Sequence, residues 1–174
     1  MKILRSLTLA LAVVPALAFA SRHAYTEPND TSTVDRSGWE SLSGPTRLTW
    51  ASKNDVYRQM ATPPTLSVTD TTVHAWRGER LGLEALLISP EGSGELKVSI
   101  SDLRRGKRSY KAPGSSAAFM RYVITTGWPG CGYPPDTLPT FTVPDMIDLP
   151  EATVSMAPRT VRPIWLTVEV PDVE

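Results

Sequence analysis

Residues able to make or break bonds are few in this chain, and their spacing scatters them. Acid–base cleavage of a glycosidic bond needs two carboxyl groups facing one cleft at fixed separation. Glu79 and Glu84 lie near one another, as do Asp145 and Asp148. Closeness along a strand does not create an acid–base pair. The plainer reading puts Glu79 and Arg80 in a hydrogen-bonded strand entry and Glu84 on the solvent face. Cys131 and His74 could form a nucleophile and base, but no third group is identifiable to orient the imidazole. The glycines flanking Cys131 read more simply as a turn that needs left-handed backbone. Of the 2 histidines, His23 falls in a polar N-terminal stretch, so no metal-ligand spacing arises. No glycine-rich phosphate loop leads into a helix. The sequence assigns no catalytic residue, no metal and no cofactor.

Binding offers more candidates. Trp128 and Tyr133 sit in a Pro- and Gly-rich loop over 128–144, where rings could stack on sugar faces as a carbohydrate-binding pair. The alternative is that they pin the loop to the edge of the domain, since large rings are highly buried on average. Arg104, Arg105, Lys107 and Arg108 cluster around Gly106 and could hold an acidic glycan or sulfate, or simply solvate a hairpin turn. Trp165 lies on the opposite pleat face from Ile164, Leu166 and Val168. That places it on an outer sheet face, as a candidate domain interface of the kind exposed apolar patches mark.

The elements that must position these residues are strands. Arg47–Ala51 is a plausible first strand, and Pro63 and Pro64 then forbid a helix interior or central strand. A hairpin-like region follows over Thr71–Ser89, in which Leu81, Leu83, Ala85 and Leu87 alternate with Gly82, Glu84 and Leu86. Pro90-Glu91-Gly92-Ser93-Gly94 has the composition of a turn. Leu96, Val98 and Ile100 alternate with Lys97, Ser99 and Ser101, and Asp102–Gly114 reads as a polar connection. Phe119–Thr126 is rich in β-branched and aromatic residues. Val161–Val170 is the last strand, with Ile164, Leu166, Val168 and Val170 on one face. Short strands, turn signals and no helical period predict an all-β antiparallel sandwich, immunoglobulin-like or related, with long Pro/Gly-rich loops.

The ends and the charge balance bound the setting. Lys2 and Arg5, an apolar run over Leu7–Ala18 and Ala18-Phe19-Ala20 predict a signal peptide over 1–20 cleaved before Ser21. The mature protein is then expected to be secreted or periplasmic. Without Lys2 and Arg5, 16 basic residues face 18 acidic ones, a balance that argues against a nucleic-acid partner. No later run is long or apolar enough to span a membrane. One cysteine allows no intrachain disulfide, so stability must come from packing. Residues 21–43 are expected as a flexible lead-in with local order near Trp39, and 44–174 as the sandwich domain, truncated at its C-terminus.

One succession of fragments is more specific than this pattern. Trp76-Arg77-Gly78-Glu79-Arg80 precedes an alternating strand and then Val98-x-Ile100-Ser101-Asp102-Leu103. Phe119–Val123, Gly130-Cys131-Gly132, Val143–Asp148 and Thr160–Pro171 follow in order. Together they resemble the N-terminal β-sandwich domain of glycoside hydrolase family 123. The resemblance implies an accessory domain placed before a catalytic barrel that cleaves terminal β-linked N-acetylgalactosamine, with a neighbouring Asp-Glu pair assisting in the barrel. No adjacent acidic pair occurs here, so that catalytic assignment is not carried over. The implied partners are a glycan, the catalytic barrel domain or another protein. A free-standing carbohydrate-binding module and a structural, protein-binding sandwich are the alternative readings.

Overall fold

Alternation becomes sheet where a strand finds neighbours, and the computed structural model shows where that happens. It describes residues 25–30, 33–64, 70–105, 107–111, 113–127 and 138–172. Nine strands are described: β1 (Arg47–Ala51), β2 (Arg80–Ser89), β3 (Glu95–Lys97), β4 (Leu103–Arg105), β5 (Arg108–Tyr110), β6 (Ser116–Thr126), β7 (Thr140–Ile147), β8 (Thr153–Ser155) and β9 (Thr160–Glu169). A 3-10 turn occupies Ser37–Ser41. The principal sheet has the order β1-β2-β9-β6-β7, and β3–β8 and β4–β5 form two-stranded ribbons. Every pairing is antiparallel, giving the all-β, sandwich-like fold that the alternation predicts.

Both faces of the principal sheet are covered. On one, Ala85, Leu87, Ala117, Phe119 and Ile164 pack with Val154 and Met156 from the β8 region, flanked by Trp50, Leu96, Val98 and Leu166. On the other, Leu86, Ile88 and Val161 pack with Trp39 and Tyr57 from the N-terminal segment. That double cover explains why the C-terminal half of β2 is buried without a break from Glu84 to Ser89, as central strands between two layers are. Trp39 is fully buried, its indole Nε1 3.1 Å from the carbonyl oxygens of both Met60 and Ala61. The segment expected as a lead-in thus contributes Trp39 to the core.

Pro163 sits inside β9, between β2 and β6, where a missing N–H would normally break a ladder. The β6 pairing ends at Phe119↔Ile164, one residue short of Pro163, so β6 has left the ladder there. Arg162 Nη1 donates instead to the Met120 carbonyl at 3.0 Å. A bulge between Arg121 and Tyr122 lets β6 follow β7 past Pro144, which an edge strand tolerates.

Three local expectations shift. Residues 71–79 are not strand: Thr71–Gly78 are all exposed, and Gly78 has a left-handed φ of 73° that turns the chain into β2. Val98 and Ile100 keep their half-buried alternation with exposed neighbours, yet the ladder of β3 with β8 spans only Glu95–Lys97. The connection after Asp102 holds the β4–β5 ribbon, and β7 begins inside the stretch read as loop.

Candidate functional site

The turn that admits the chain to β2 is built from hydrogen bonds at both edges. The Glu79 N–H donates to the Trp76 carbonyl at 3.2 Å, and the Trp76 N–H donates to Glu79 Oε2 at 2.7 Å. Gly78 N–H donates to the Val170 carbonyl at 3.1 Å, and Val170 N–H returns to Glu79 at 2.8 Å. A Cβ on Gly78 would lie 3.9 Å from the Asp172 Cβ, so the C-terminal residues run alongside. Trp76 stands on this frame 83% exposed, with Val73 43% exposed nearby in sequence. The sequence singled out Trp76-Arg77-Gly78-Glu79-Arg80 as a motif but gave no sign that the indole would be in water.

Trp165 occupies the pleat face opposite Ile164 and Leu166. It is half-buried, opposite Glu84 on β2 and Ala118 on β6. Its ring lies over Gly82, where an added Cβ would meet Cζ2 at 2.5 Å. Only glycine leaves the ring that seat.

The carboxylate pairs that the sequence offered, Glu79 with Glu84 and Asp145 with Asp148, are drawn to separate tasks. Glu79 is committed to the Trp76 N–H. Glu84, expected on the solvent face, is instead 5% exposed, because the N-terminal segment covers that side of the sheet. Burial, with the Asp55 carboxylate nearby, pushes its carboxyl up to about 7. Tyr57 belongs to the same neighbourhood: burial raises its hydroxyl, which accepts from the Ser52 N–H at 2.9 Å. Asp148 pairs with Arg121 rather than with the exposed Asp145.

A second ionic group joins distant parts of the chain. Glu27 binds the Arg162 guanidinium with both oxygens and accepts the Tyr122 N–H at 3.0 Å. The guanidinium carbon lies 4.7 Å from the Tyr122 ring centroid, within cation–π range. Burial pushes the Tyr122 hydroxyl well above the usual phenol range. That hydroxyl lies 3.0 and 2.9 Å from the carbonyl oxygens of Tyr57 and Val161.

Of the remaining candidates, His74 is exposed, and Trp128, Cys131 and Tyr133 lie outside the described residues. Arg104, Lys107 and Arg108 are exposed on the β4–β5 ribbon. Beside it, Lys111 pairs with Asp102 at 2.9 Å, and that hydrogen bond holds the Asp102 carboxyl below its ordinary range. Among the described residues no group of three or more His, Cys, Asp or Glu could hold a metal ion. No described helix is long and apolar enough to cross a membrane. A cleft of about 430 Å³ opens between the sheet and the β3 segment, lined mainly by apolar side chains including Leu48, Trp50, Val98 and Leu166.

An antiparallel sheet covered on both faces and entered by a Trp-Arg-Gly-Glu turn defines an all-β, sandwich-like domain. The family model of the glycoside hydrolase 123 N-terminal domain matches residues 50–174, and the chain belongs to that family. No curated protein matches the chain.

Proposed function

We propose that this chain is the non-catalytic N-terminal accessory domain of an exported glycoside hydrolase-like protein, supporting a catalytic barrel. The family match over residues 50–174 carries this reading. It takes in every strand from β2 to β9 and the last two residues of β1. The arrangement of carboxylates agrees with it. Glu79 holds a backbone amide, Glu84 is buried and Asp148 is paired with Arg121, so the two carboxylate pairs that the sequence offered are not acid and base across one cleft. Residues 1–20 would direct export.

The test compares a family 123 catalytic domain alone with the same domain carrying this chain at its N-terminus. A supporting domain raises the melting temperature of the barrel and leaves its turnover of aryl N-acetylgalactosaminide unchanged. The chain on its own shows no turnover. Hydrolysis by the isolated chain, or two independent melting transitions in the joined protein, sinks the proposal.

A further inference from the structure

We infer that the Trp76 turn is the seat on which the catalytic domain of the glycosidase docks; this rests on the accessory reading above. Three observations converge on that turn. The first is exposure: an indole 83% in water leaves most of a large apolar surface without cover. Isolated surface apolar residues are common, but tryptophan and arginine are the residues that dominate binding hot spots. Here Arg77 follows Trp76 directly, and Val73 adds a further apolar side chain in the same exposed segment.

The second is rigidity. Trp76 is fixed from both sides by the Glu79 carboxylate and the Glu79 N–H, and the turn is tied to β9 through Gly78 and Val170. Immobilising a flexible loop on binding is a principal cost of association. The backbone of this turn is already tied by these hydrogen bonds, so binding has the indole rotamer to order and little of the loop.

The third is placement. Val170 pairs with the turn, and Asp172 lies beside Gly78. A domain following the N-terminal one leaves the sheet within reach of Trp76. A covalent link makes docking intramolecular and raises the effective concentration to the millimolar range for a short connection. One aromatic anchor with a modest apolar surround is then enough to hold the two together. Trp165, the anchor suggested by sequence, has less to offer, because most of its surface is already covered, with the ring over Gly82.

The experiment labels the full chain with 5-fluorotryptophan and titrates it with a family 123 catalytic domain made without its own N-terminal domain. Fluorine NMR follows each tryptophan separately. The Trp76 signal, identified by its loss in Trp76→Phe, should shift with added domain while the buried Trp39 signal stays. Trp76→Ala should weaken association at least tenfold at an unchanged melting temperature. Equal association of Trp76→Ala and the parent overturns the seat and leaves the accessory reading standing. No association of the parent up to millimolar domain, with a single melting transition in the joined protein, likewise overturns the seat alone. If the joined protein also melts in two steps, both fall. A Trp76 shift on adding N-acetylgalactosamine oligosaccharide alone would assign the turn to sugar instead and overturn docking.

Discussion

Glu27 and Arg162 hold one another by two parallel hydrogen bonds although 135 residues separate them along the chain. The pair is a clasp. It fastens residues 25–30 across the place where β6 leaves β9, and Tyr25 strengthens it by donating to the Tyr122 carbonyl at 2.8 Å. The Arg162 side chain is only 5% exposed, so the guanidinium depends on Glu27 for its counter-charge.

That dependence makes Glu27→Gln costly. Removing one partner of a buried pair leaves an uncompensated charge and destabilises by about 3 kcal/mol. Urea unfolding of the variant should show the loss as a lower midpoint at unchanged slope. Replacing both residues by methionine should recover most of it, since an apolar pair of similar volume is often neutral. A midpoint for Glu27→Gln equal to that of the parent would mean that the clasp carries nothing.

The clasp also shows where sequence reading stops. Period-two alternation located β2 and β9, because each residue of a strand reports its own face, and composition marked β6. It could not show that Trp39 and Tyr57 would cover the second face, because nothing local in those residues names their partner. Val73 and Ala75 alternate like a strand, yet residues 71–77 belong to no described ladder. Nor does local pattern explain how β9 keeps Pro163, which is tolerated because β6 departs at that residue. Trp76 was legible as part of a motif, but exposure is a property of what surrounds a residue, and the sequence does not contain it.

Glu84 makes stability depend on pH. In the unfolded chain its carboxyl titrates near the ordinary 4.5, and in the fold it is pushed up to about 7 by burial and by Asp55. The folded form therefore binds more protons than the unfolded form between those values. Stability is full below about 4.5 and is lost as pH rises to 7. The loss is on the order of 3 kcal/mol by the linkage between carboxyl titration and folding. Tyr57, the hydroxyl facing this group, stays protonated across that range because burial raises it further. Glu84→Gln should flatten the dependence of the urea midpoint over that window. An unchanged slope in the variant would assign the pH dependence elsewhere.

Tyr122→Phe removes a hydroxyl that lies between two backbone carbonyls in a site with no water access. The ring and its contact with Arg162 remain. Leaving buried acceptors without their donor costs about 1–3 kcal/mol, so the variant should fold with the same near-ultraviolet circular dichroism and melt several degrees lower. Melting equal to the parent would show that the two carbonyls are satisfied without it.

Gly82→Ala tests the seat of Trp165. Glycine to alanine in a strand normally stabilises slightly, by about 0.4–1 kcal/mol through the unfolded chain. Here the new methyl would stand 2.5 Å from Trp165 Cζ2 and 3.1 Å from Cη2, too close for contact. The indole must tilt away, and overpacking of this kind costs about 1–3 kcal/mol. The clash outweighs the entropic gain, so the variant should melt below the parent, with a red-shifted tryptophan emission as Trp165 is lifted into water. Adding Trp165→Leu to Gly82→Ala removes the ring that clashes. The alanine should then be neutral or stabilising relative to Trp165→Leu alone. If alanine is equally harmful with and without the indole, the glycine is required by the backbone and not by Trp165.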